Sequence, residues 1–196
     1  MNRLVAAFKR PVVPALGAWL VGLAAFSIVS VERLFSAPHA VFVYARLSAY
    51  IATVTVAALT IALIGVFGLA CGVMLWWLDD PVGPRRIAAC AGRSFWSVVI
   101  YTWTALALLA VDPPSAIAVA DLWQPETVQS QMRDVLAYRW LSDMRLLVLA
   151  AFLIAVVVLL QRHARLVNVA IAVAFGAGLV AALLTALGLL GGSGDF

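Results

Sequence analysis

Two histidines, two cysteines and nine carboxylates are the chain's whole stock for acid–base or metal chemistry, apart from its hydroxyls. Their placement argues against using them together. His39 and His163 both fall in short polar segments between apolar runs. A membrane haem needs axial ligands that face each other inside a helix bundle, and two loop histidines on opposite membrane faces make no such pair. No HExxH and no phosphate-binding P-loop occurs, so neither the zinc-protease motif nor that nucleotide motif is present. Ser27, Ser30, Ser94 and Ser97 have no histidine in the same apolar run to activate them. Cys71 and Cys90 form no CxxC pattern and read as small apolar residues without a disulfide. Thr53, Thr55 and Thr60 offer oxygens that could in principle line an ion path, but such hydroxyls more often bond back to their own helix. An enzyme acting on lipid at the interface would need Asp134, Asp143 and His163 to converge, and the predicted topology puts them on different faces. The expectation is a non-enzymatic protein with no catalytic, cofactor-binding or metal-binding residue.

The elements that would position any site are membrane helices. The chain is 65% hydrophobic and only 11% charged, with a mean hydropathy of +1.08, whereas soluble domains carry about 25% charge. Leu47 to Leu78 is 32 residues without Asp, Glu, Lys, Arg or His. As a helix it would be about 48 Å long, more than the roughly 30 Å of a bilayer's hydrocarbon core. It closes on Trp76-Trp77, then Asp79-Asp80-Pro81, an aromatic anchor followed by acids and a helix breaker. Ahead of it, Pro11 to Val31 is an uncharged run behind a basic start (Arg3, Lys9, Arg10). It is too long for a signal-peptide core and reads as a retained first span. The predicted architecture is all-α, a single transmembrane domain over 1–196. Five spans lie at about 12–31, 48–77, 94–111, 143–161 and 166–190, with an amphipathic helix lying on the membrane surface at about 126–140. On this reading Glu32 to Arg46 is a link and Asp79 to Arg93 a turn.

Two sets of residues stand out as contact surfaces. Gly65, Gly68 and Gly72 recur three and four apart, hence on one helical face suited to close packing or dimerisation. Ala18 and Gly22 form a similar pair. Arg85, Arg86, Arg93, Arg162 and Arg165 share the predicted cytoplasmic face and could meet lipid headgroups or an acidic partner. The net charge of +4 is accounted for by basic residues flanking the spans, so nucleic acid is not an expected partner. The partners expected are the lipid bilayer and other membrane subunits or a second copy.

Residues 61–109, IALIGVFGLACGVMLWWLDDPVGPRRIAACAGRSFWSVVIYTWTALALL, run from a Gly-rich span through a double Trp and a Pro-containing basic turn into a re-entering helix. In this order of elements the chain resembles the Yip1 family of small five-span membrane proteins. The third span has no proline where the family carries one. The family's Asp-aromatic-Trp signature is matched only by Trp140 and Asp143, out of register. The resemblance implies a membrane-organising role and no catalytic residues. The functional expectation is a protein acting through helix–helix contacts, as a Yip1-like organiser or an accessory subunit of a larger membrane complex. The alternative is a small transporter or channel for a lipid or apolar substrate.

Orientation follows from the basic residues. With the N-terminus cytoplasmic, eight of the thirteen lie inside and five (Arg33, Arg46, Arg133, Arg139, Arg145) outside. The expected location is therefore a bacterial inner membrane with the N-terminus in the cytoplasm. Five spans put the C-terminus outside, so a C-terminal phosphatase fusion should be active and a C-terminal fluorescent fusion dark; the reverse pattern overturns this topology.

Overall fold

The structure is a computed structural model and describes residues 12–36, 40–118, 121, 124–186 and 188. Arg3, Lys9, Arg10, Pro11, Pro38, His39, Trp123 and the tail from Gly191 lie outside the described residues. Among those described, the regular elements are helical throughout. We number them α1 (Val12–Leu34), α2 (Ala40–Trp77), α3 (Pro84–Ser94), α4 (Trp96–Val111), α5 (Pro125–Asp134), α6 (Leu136–Asp143), α7 (Arg145–Leu160) and α8 (Leu166–Ala186).

Four segments are long and apolar enough to cross a membrane: Val12–Leu34, Phe42–Trp77, Pro84–Val111 and Leu166–Ala186. α6 and α7 pass the same test as a pair bent by 48°, which would make a fifth. Three boundaries differ from those the charges suggested. Glu32 and Arg33 sit within α1, and α2 begins at Ala40, so the first link is shorter than the predicted 32–46. The second turn ends at Gly83, because Pro84 opens α3 at the first helical position, where its missing N–H is no loss. α3 then continues almost directly into α4, so the third apolar segment starts ten residues before the predicted 94 and carries Arg85, Arg86 and Arg93 on its exposed side. A charge on a long stem does not end a helix when its head can reach water. Third, the single helix expected at 126–140 is two helices broken at Val135, whose backbone is extended (φ −77°, ψ 126°).

The helices gather into two compact units. In the first, built from residues 1–16, 59–96 and 149–196, α2 packs on α8 through small residues. The Cys71 thiol donates to the Ala172 carbonyl (3.5 Å). A Cβ at Gly176 would come within 2.9 Å of Cys71 Sγ and 3.0 Å of Phe67. Phe67 also meets Phe152 of α7, with ring centres 5.7 Å apart.

The second unit comprises residues 17–58 and 97–148. Here Leu109, Val135 and Ala137 form a buried cluster flanked by Phe26, Leu108 and Tyr138. The break at Val135 serves this core: the extended residue turns its side chain inward, and Asp112 Oδ2 accepts from the Leu136 N–H (2.9 Å) at the start of α6. Tyr138 then hydrogen-bonds Ser30, and Tyr101 donates to the Leu141 carbonyl. Trp103 Nε1 donates to the Ala18 carbonyl (3.1 Å), its ring lying where a Gly22 Cβ would be (2.9 Å). The Ala18–Gly22 pair thus receives an indole from α4.

Candidate functional site: a glycine-lined groove beside exposed arginines

α2 ends in a turn that ties its last residues to the start of α8. Asp79 takes the left-handed conformation (φ 53°), which Asp tolerates better than most residues. The Asp80 N–H then bonds the Leu75 carbonyl (3.0 Å) and the Asp79 N–H the Trp76 carbonyl (3.3 Å), the paired bonds of a Schellman stop. That stop leaves the Asp80 carboxylate free to turn toward α8. Its Oδ2 accepts from the Arg165 backbone N–H (2.6 Å) and from Asn168 Nδ2 (3.3 Å). An acid is favoured at a helix N-terminus, where amide N–H groups lack partners.

All five arginines singled out above belong to this first unit. Arg85, Arg86 and Arg93 are exposed on α3; Arg162 and Arg165 are exposed in the α7–α8 connection. Arg93 lies three residues after the buried Cys90, on the same line of α3. Arg86 lies seven residues before Arg93, on that same side. Arg85 points along a different line, one residue past Pro84 and three before Ala88.

Pro84 and Ala88 line a groove of about 470 Å³ between α2 and α3, bounded also by Val12 and Leu16 of α1 and partly open at the surface. The glycine face of α2 forms its other wall, with Gly65, Gly68 and Gly72 all in the lining. These three glycines have different surroundings. A Cβ at Gly72 would lie 3.2 Å from Ile87 of α3, at Gly68 3.9 Å, and at Gly65 nothing lies within 4 Å. The face closes on α3 at one end and opens into the groove at the other. The base of the groove is held by a contact that the α2 pattern does not reveal: a Cβ on Gly92 would sit 2.6 Å from Val12 Cα and 2.9 Å from its N. Gly92 and Gly176 are the residues sequence reasoning passed over; the short-residue runs AACAG and AFGAG around them were the available signal.

The chemistry-bearing residues do not gather here. His163 is exposed in the α7–α8 turn of the first unit, while Asp134 and Asp143 belong to the second. Ser94 donates to its own helix at the Cys90 carbonyl (2.9 Å), and Thr53 and Thr55 likewise to Ala49 and Ile51. Among the described residues no three His, Cys, Asp or Glu side chains are grouped as a metal shell requires. No protein-family model, curated protein or solved structure matches the chain.

The glycine contacts rank two substitutions. Gly92→Ala forces backbone of α1 and α3 apart and should destabilise by about 1–3 kcal/mol, whereas Gly65→Ala meets open space and should be neutral or slightly stabilising through helix propensity. Thermal unfolding in detergent measures both; equal melting temperatures for the two variants would contradict the packing described.

Proposed function

We propose that this is a non-enzymatic integral membrane protein that works through helix–helix contacts, as an organiser of the Yip1-like kind or as an accessory subunit of a larger membrane assembly. The observation that carries this reading is on α8. Its inner face, Val169, Ala172, Val173 and Gly176, is buried. Its outer face presents Ala170, Ala174, Gly178 and Ala182, four apart and all exposed. A Cβ on Gly178 would meet nothing within 4 Å. In lipid, where apolar side chains gain nothing by leaving one another's company for acyl chains, small residues in such a row let another helix approach closely. A soluble-protein reading gains no support from exposed apolar residues of this kind, such as Val54 and Ile154.

On this reading the lipid bilayer and a second membrane chain are the partners, and the bacterial inner membrane with a cytoplasmic N-terminus is the setting. The transporter reading draws its support from the groove alone, since a 470 Å³ space falls in the size range of small-ligand sites.

Because Gly178 touches nothing, Gly178→Leu separates association from folding. On native gels in mild detergent the wild type should run as a complex, and Gly178→Leu should weaken that complex at least about tenfold, roughly 1.4 kcal/mol, with an unchanged melting temperature. A wild type that is strictly monomeric and recovers no second subunit would remove this proposal.

A further inference from the structure

The groove of the first unit has a size, a lining and a charge at one end that together specify an occupant. The α2 residues lining it run from Ile64 to Trp76, about 18 Å along the helix, close to the roughly 15 Å depth of one leaflet's hydrocarbon. Its walls are glycine, alanine, proline and aliphatic side chains with Phe95 and, at the turn end, Trp76, a largely apolar lining that suits a flexible hydrocarbon chain.

The groove reaches the 78–83 turn, where Val82 and Pro84 line it, and Trp76, exposed and in the lining, stands at that end. A Trp followed by a polar turn marks the membrane–water boundary. Arg85 sits in the first turn of α3, sharing a face with groove-lining Ala88 three residues on, and Arg86 follows it. Neither side chain has an ion-pair or hydrogen-bond partner among the described residues. The neighbouring acid Asp80 is occupied by Arg165 N–H and Asn168. Gly83, the residue capping α3, has no side-chain acceptor, so the helix start adds its own attraction for an anion. Guanidinium groups pair with phosphate in a two-pronged geometry.

We propose that the α2–α3 groove binds one anionic glycerophospholipid, with an acyl chain along Gly65, Gly68 and Gly72 and its phosphate and charged headgroup at Arg85 and Arg86. The site stands apart from the α8 row and does not depend on the proposed association.

Native mass spectrometry of the detergent-purified full chain tests it, using phosphatidylglycerol and phosphatidylcholine with identical acyl chains. The wild type should prefer phosphatidylglycerol by at least about fivefold, the ratio one basic residue near an anionic surface supports. Arg85→Gln should abolish most of that preference, and Arg133→Gln, in the other unit, should leave it intact. Gly65→Leu, whose Cβ enters open space and whose melting temperature should match the wild type's, should weaken both lipids about tenfold or more by filling the groove. Equal binding of the two lipids by the wild type, a preference that survives Arg85→Gln, or binding unaffected by Gly65→Leu would each overturn the proposal. A photo-crosslinker at Leu69 in intact membranes should yield an adduct of lipid mass; a protein adduct there would mean that a polypeptide occupies the groove and would overturn it too.

Discussion

In hydrocarbon a polar group that lacks a partner inside the protein has none at all, and the long apolar helices of this chain meet that constraint at most of their hydroxyls. Helices satisfy the backbone. The hydroxyls among them are satisfied locally: Thr102, Thr104 and Thr185 each donate to the carbonyl four residues earlier, at 2.9–3.0 Å. Elsewhere a hydroxyl meets another across the bundle, as Ser27 meets Thr53 at 2.8 Å. Such bonds remove the cost of a buried oxygen rather than adding much stability, since bonds between membrane helices contribute on the order of 1 kcal/mol or less.

Two charged groups fasten the meeting of neighbouring helices. Arg46 donates through Nε to the Phe35 carbonyl (3.1 Å) and lies 3.6 Å from Glu32, which also accepts from the Tyr50 hydroxyl (3.0 Å). The group is half-exposed, so its electrostatic share is about 0.2–1 kcal/mol. Its main effect is geometric, tying the start of α2 to the end of α1. Asp80 does the same for the meeting of α2 with α8. Arg85 and Arg86 of α3 have no such partner among the described residues, and they follow directly on Pro84, which lines one end of the groove.

The long apolar helices are legible in the sequence because the property that defines them, a long run without charge, is written locally in residues such as 47–78. Their ends are not. Glu32, Arg33, Arg85 and Arg86 are helical because neighbouring amides continue to bond and their heads reach water, so counting charges shortens α1 and delays the third segment. The break at Val135 is hidden for another reason. The 3.6-residue pattern continues through Met132, Leu136 and Trp140, and only the long-range demands of Leu109, Asp112 and Ser30 interrupt it. The glycine face can be read directly from Gly65, Gly68 and Gly72, but its neighbours cannot. Whether a glycine abuts Ile87 or opens into a groove depends on the path of α3 after Pro84, which no periodicity in α2 records. The α8 row is visible in the sequence only as general richness in Ala and Gly; burial is what separates its two faces.

What remains central is that the exposed apolar surface of these helices faces lipid. Nitroxide labels at Val54 and Ile154, both more than half exposed, report this directly once Cys71 and Cys90 are replaced by Ala and the protein is returned to bilayers. Relaxation by dissolved oxygen should exceed relaxation by a water-soluble nickel chelate at both sites. Stronger relaxation by nickel at either one would mean that water lies against that helix, and the account would fail.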